Sequence, residues 1–122
     1  MNITNIKPIS AQKVGSNWKL TVKYTATFSA DEATTHNYTF RDSISIREDD
    51  TSDDDVVTGF VAASNFNPSG LSVQRTLVAN VNEEDLDTEL GGEEIYAKIR
   101  LRNVTTSGVS MHKNTAIINL AP

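Results

Sequence analysis

The chain has 122 residues, no cysteine and a formal charge of −5, values that suit one domain over residues 1–122 with a single hydrophobic core. The lack of cysteine excludes disulfides and thiolate metal sites, and the negative charge argues against nucleic acid as a partner. No run reaches the roughly 20 apolar residues of a membrane-spanning helix, so we expect no membrane insertion. The N-terminus has no basic and then apolar stretch typical of a signal peptide, and the localisation stays unknown.

The first predicted element is an edge strand over residues 1–10, because Pro8 cannot donate a hydrogen bond to a sheet. The second is the clearest. Between Trp18 and Phe28 every even position is apolar and every odd position is lysine or threonine, and a period of two predicts a strand with one buried face. We place this strand at 17–30 and expect a bend or a bulge near Ala26, because it exceeds the usual strand length.

Four further segments alternate and one, 56–63, is a short apolar run, which together predict five further strands. They lie at 38–47, 56–63, 71–81, 95–101 and 112–120. Residues 31–37 read as a polar loop. Asp42 and Arg75 each interrupt an otherwise apolar face. Since an unpaired buried charge is costly, we predict that these two either pair with each other or reach the rim of the core.

One segment late in the chain changes period and predicts a short helix near 83–90. Leu86 and Leu90 are four residues apart, as one face of a helix requires. Asn82 is suited to cap the first turn, and acidic residues follow it at the positive end of the helix dipole. Gly91 is suited to end the helix in a left-handed conformation.

About seven strands with one short helix predict an all-β fold, a two-sheet antiparallel sandwich. The order of the elements resembles that of an immunoglobulin-like sandwich. The resemblance concerns architecture alone, because the chain lacks the paired cysteines of antibody domains. A jelly roll or a C2-like sandwich is the alternative.

Nothing in the sequence indicates catalysis. The chain has two histidines and lacks the nucleophile-elbow, P-loop and His-Glu-x-x-His motifs. A serine with His36 and Asp31 is a set that any chain of this size holds by chance, so a small hydrolase is the least favoured alternative. We expect the protein not to be an enzyme and to need no cofactor, except a possible calcium ion.

Calcium is suggested by an acidic segment at 48–55. Carboxylate oxygens are the ligands that Ca²⁺ prefers, although the spacing does not match an EF-hand. Segments 48–55 and 83–94 hold six and seven of the sixteen acidic residues, and the predicted topology puts both at one end of the sandwich. The alternatives are a solvated charge run and a Ca²⁺-dependent ligand- or carbohydrate-binding module. The candidate ligands are Asp49, Asp50, Asp53, Asp54 and Asp55.

The basic residues collect elsewhere. If strands 38–47, 95–102 and 111–120 share a sheet, its outer face carries at least five cations, and these predict a site for an acidic protein partner or for self-association. Ordinary decoration of an exposed strand is the alternative. The favoured function is therefore a non-catalytic structural, assembly or binding module of a virion, appendage or cell surface. The candidate partner-binding residues are Arg41, Arg47, Lys98, Arg100 and Arg102.

Overall fold

The alternating segments form two antiparallel sheets in the computed structural model, which describes residues 1–49, 54–86 and 93–120. Within these residues the fold is all-β and sandwich-like, as the alternation predicts. The first sheet, sheet A, contains β1 (Asn2–Thr4), β2 (Ser10–Val14), β3 (Asn17–Thr27) and β7 (Ser72–Asn82). The second, sheet B, contains β4 (Phe40–Glu48), β5 (Asp55–Val56), β6 (Val61–Phe66), β8 (Glu93–Asn103), β9 (Met111–Asn114) and β10 (Ile118–Leu120).

Each sheet is built around its longest strands. In sheet A, β3 pairs with β7 along its whole length, and β1 and β2 share the other side of β3. In sheet B, β4 and β8 form the centre. Strands β5 and β6 both pair with the edge of β4 that faces away from β8. Strands β9 and β10 both pair with the edge of β8 that faces away from β4.

Several predicted strands differ from the observed ones. The predicted strand 1–10 is wrong as one element, because Asn5 adopts φ +49° and, with Pro8, separates β1 from β2. Predicted strands 56–63 and 112–120 are each replaced by two short strands. No bulge interrupts β3 near Ala26: it pairs with β7 in one unbroken register, and the irregularity lies between β4 and β6 instead. The alternative of a bend stays a prediction.

The helical elements are shorter than predicted. The predicted loop 31–37 contains one π-helical turn, Asp31–Thr35. The helix predicted at 83–90 is a 3-10 turn, Glu83–Asp85, in which Asn82 Oδ1 accepts the N–H of Glu84 at 2.9 Å, as the cap prediction requires. Leu86 has extended backbone angles and ends the turn, and the rest of the predicted helix, with Leu90 and Gly91, lies outside the described residues.

The interior contains one polar cluster that joins the two sheets. Asp42, on β4 of sheet B, is fully buried. Arg75, on β7 of sheet A, donates to it twice, from Nε to Oδ2 at 2.8 Å and from Nη2 to Oδ1 at 3.0 Å. Of the two outcomes predicted for Asp42 and Arg75, the pair is therefore the one observed, and its geometry is the bidentate form that strengthens such pairs.

Tyr24 completes this cluster. It lies directly opposite Arg75 in sheet A, and its hydroxyl donates to Asp42 Oδ2 at 2.8 Å. Burial raises the pKa of Tyr24, and the charge of Asp42 adds to the rise, so the phenol stays protonated and remains a donor. We call Tyr24, Asp42 and Arg75 the inter-sheet triad.

Replacing Tyr24 with phenylalanine removes one donor from a buried carboxylate. Since hydrogen bonds to charged groups contribute about 1.5–3 kcal/mol, we expect Tyr24→Phe to lower the free energy of unfolding by about that amount in urea titrations. Tyr38→Phe is the matched control, because Tyr38 stacks on His36 and its hydroxyl has no hydrogen bond within the described residues. Equal losses in the two variants would contradict a structural role for the Tyr24 hydroxyl.

Candidate partner-binding face

The outer side of sheet B gathers the basic residues that the sequence singles out. The inner positions of β4 and β8 pack into the core, so the intervening positions face outward. The register places Arg41 opposite Arg102, Ser43 opposite Arg100, Ser45 opposite Lys98 and Arg47 opposite Tyr96. Four adjacent rows of one sheet surface thus hold all five predicted cations, and we call Arg41, Arg47, Lys98, Arg100 and Arg102 the basic face.

The five side chains are half-buried, and three of them have defined contacts. Arg41 Nε donates to Asn65 Oδ1 at 2.7 Å, and Arg47 Nε donates to Ser45 Oγ at 3.3 Å. The guanidinium of Arg100 lies 4.0 Å from the centre of the Phe60 ring, a cation–π contact. These contacts hold the cations in place without neutralising them.

None of the ion pairs found in the part of the chain that the structure describes includes a residue of the basic face. The ion pairs found there join other residues: Met1 with Glu32, Lys13 with Glu83, and Arg75 with Asp42. Arg41 and Arg102 are directly opposed, and like charges in that position destabilise a sheet. The Nε of Arg102 is buried without a hydrogen-bond partner in the same residues. Two like charges and one unpartnered guanidinium nitrogen therefore lie together at one end of the basic face.

Two rings border the basic face, and sequence reasoning missed both. Phe60 falls in the predicted strand 56–63, but residues 57–60 form a turn. The centroid of the Phe60 ring lies 6.0 Å from that of the His112 ring. The turn is fixed to β4, because Ser45 Oγ donates to Thr58 O at 2.7 Å and Thr58 Oγ1 accepts the N–H of Ile46 at 3.0 Å. His112 lies opposite Arg100 in β9. No pattern in the sequence gives the register that brings the two rings together.

One residue from each acidic segment meets the other beside the basic face. The N–H of Asp49 donates to the carbonyl of Glu94 at 2.8 Å, so segments 48–55 and 83–94 are adjacent at these two residues. The hydroxyl of Tyr96, which ends the outermost row of the face, donates to the Asp54 carboxylate. Partial burial and this carboxylate raise the pKa of Tyr96.

The calcium site stays a prediction. Asp49 is exposed, and Asp55 lies in β5 opposite Glu48. Asp50 and Asp53 lie outside the described residues. Within residues 1–49, 54–86 and 93–120, no group of three histidine or acidic side chains is arranged to hold a metal ion.

His36 stacks on Tyr38 with ring centroids 4.9 Å apart, and its backbone N–H donates to the carbonyl of Asp31 at 2.9 Å. No helix among the described residues is long and apolar enough to cross a membrane. No protein-family model matches the chain, and a search of curated proteins finds none that is significantly similar to it.

The ring of His112 reports the potential at the basic face. Partial burial lowers the pKa of His112, and the nearby charges of Lys98, Arg100 and Arg47 lower it further. We expect its NMR titration midpoint to lie below the ordinary value of about 6.5, and Lys98→Gln to raise that midpoint because one repelling charge is removed. The signal is assigned by its loss in His112→Gln.

Lys19→Gln is the matched control for this titration, since Lys19 is exposed on the outer face of sheet A. It should leave the midpoint unchanged. If Lys98→Gln also left it unchanged, the cations would not set the potential at His112.

Proposed function

We propose that the protein is a non-catalytic assembly and binding module that docks an acidic protein surface on its basic face. Support comes from five cations that share one sheet surface without an ion-pair partner among the described residues. They do so in a chain with sixteen acidic and eleven basic residues, where matching carboxylates are abundant. A virion, appendage or surface assembly is the setting that we favour.

Preorganisation favours binding over simple solubility. Arg100 is held against Phe60 and Arg41 against Asn65, so part of the side-chain entropy cost of binding is already met before a partner arrives. Carboxylates of the partner would separate the opposed guanidinium groups of Arg41 and Arg102. A bidentate arginine–carboxylate pair gives such a contact direction as well as energy.

The chemistry of the face favours protein over nucleic acid. Single strands are bound on several stacked aromatic rings, and here Phe60 is already covered by Arg100. The net charge of −5 opposes a polyanion at long range. An acidic protein segment needs only local charge complementarity. The segment 48–55 of this chain has that chemistry, with six carboxylates in eight residues.

We further infer an immunoglobulin-like arrangement for the two sheets. In that arrangement the first two strands share one sheet with strands from the middle of the chain. The third strand shares the other sheet with the last two. The observed orders, with β3 between β7 and the β1–β2 pair and with β4 beside β8, support this assignment. Such sandwiches recur in cell-surface domains.

Binding of a labelled peptide with the sequence of residues 48–55 tests the proposal. We expect fluorescence anisotropy to show binding that weakens as NaCl rises, because exposed charge pairs are screened. Arg100→Glu exchanges an attraction for a repulsion. With each exposed pair contributing about 0–1 kcal/mol, the affinity should fall by roughly tenfold.

Lys19→Glu is the matched charge reversal on the opposite sheet, and it should bind the peptide nearly as well as the unmodified protein. Equal affinities of Arg100→Glu and Lys19→Glu would refute the proposed site. Sedimentation of the protein without the peptide shows whether the acidic surface that binds the basic face belongs to a second copy of this chain. Salt-sensitive oligomers that Arg100→Glu abolishes would assign it to a second copy.

A further inference from the structure

We infer that the free edge of β7 pairs with the same edge of a second copy, forming a two-fold dimer with a continuous sheet A. This surface lies on sheet A and does not depend on the proposed function of the basic face. Four observations carry it: the length of β7, the chemistry of its side chains, the direction of its backbone groups and the absence of a pairing strand among the described residues.

The other sheet edges in the described chain are interrupted. Strands β1 and β2 are separated at Asn5 and Pro8, and β5 and β6 by the turn 57–60, with Ala62 in a left-handed conformation at φ +57°. Strands β9 and β10 are separated by 115–117. Short, bulged or proline-containing strands are the means by which proteins prevent edge-to-edge pairing. None of these edge strands exceeds six residues.

Strand β7 has none of these interruptions. It runs for eleven residues, contains no proline and pairs with β3 without a register shift. Its outward side chains are exposed and uncharged, so the lysine or glutamate that often protects an edge is missing. The one charge in the strand, Arg75, points inward and is matched by Asp42. The outward residues are Ser72, Gln74, Thr76, Val78, Asn80 and Asn82.

The backbone groups at the free edge belong to the even-numbered residues of β7. Phe28 N–H donates to Leu71 O at 2.9 Å, so position 71 faces β3. Lys7 N–H donates to Lys23 O at 2.9 Å on the far side of β3, so Lys23 and its partner Thr76 do not bond to each other. Because bonded and non-bonded pairs alternate in antiparallel sheets, the N–H and C=O of Thr76 point away from β3.

A second copy of β7 matches this edge in length, which none of the other described edge strands does. Antiparallel pairing about a two-fold axis at Leu77 sets eleven residues against eleven. Thr76 then lies opposite Val78, and Gln74 opposite Asn80, so residues with outward backbone groups meet each other. Arg75 lies opposite Ala79, which keeps the two arginines apart. An edge that complements itself gives a closed, isologous dimer.

Sedimentation equilibrium of the full chain tests the inference. We expect a mass of about twice 13.3 kDa and little change with NaCl, because the paired side chains are uncharged. Thr76→Pro removes an outward N–H and leaves the hydrogen bonds to β3 intact. It should weaken the dimer by at least about tenfold, which corresponds to 1.4 kcal/mol, while Thr76→Ala, the matched control, should dimerise like the unmodified protein.

Val78→Lys is the second variant, in case Thr76→Pro fails to fold. It sets two new cations near each other across the two-fold axis and should also shift the equilibrium to monomer. A monomer at every concentration would overturn the inference, as would a dimer that survives both substitutions. A dimer lost in Arg100→Glu or in high NaCl would also overturn it and would assign self-association to the basic face. Peptide binding to the basic face is measured separately, so the two proposals fail independently.

Discussion

A fully buried carboxylate, Asp42, is the constraint on which the two sheets depend. A charged group in an apolar interior is tolerated only when it is paired and hydrogen-bonded. Its partners, Arg75 and Tyr24, come from the opposite sheet, so the charge is satisfied only in one relative position of the sheets. Apolar packing alone stabilises many relative positions of the two sheets to a similar degree. The geometry of the three hydrogen bonds to Asp42 favours one of them.

The same alternation that points Asp42 into the core points the cations of the basic face away from it. On β4, Asp42 points inward and its neighbour Arg41 points outward, and on β7 Arg75 points inward between exposed Gln74 and Thr76. The inward Arg75 forms an ion pair with Asp42, whereas the outward cations of the basic face form none among the described residues. One polar interior cluster and one unmatched basic surface therefore follow from the pleat of the same two sheets.

Much of this arrangement could be predicted from sequence, because a period of two assigns each residue of a strand to a face. The pattern placed all five cations on one surface and marked Asp42 and Arg75 as inward charges, but it left open whether they pair or reach the rim of the core. It did not identify Tyr24 as the third member, since tyrosine at an inward position looks like any other core residue. Its hydroxyl matters only because the register sets it opposite Arg75.

The features that could not be predicted depend on local backbone geometry or on contacts distant in sequence. The break at Asn5 needs a left-handed residue, which asparagine permits but does not require. Phe60 reaches the basic face because a turn follows β5, where the apolar run suggested one continuous strand. The predicted helix near 83–90 fails at Leu86, which is buried in the core in an extended conformation. At Leu86, burial of the side chain in the core outweighs the small preference of this segment for a helical backbone.

A double-mutant cycle of Asp42→Leu and Arg75→Met tests most directly whether the triad holds the sheets together. Each single substitution leaves a charge without its partner, and each should lower the free energy of unfolding by about 3–5 kcal/mol. The double variant removes both charges, so its loss should be smaller than the sum of the two single losses by at least about 2 kcal/mol. A double variant whose loss equals that sum would contradict the account.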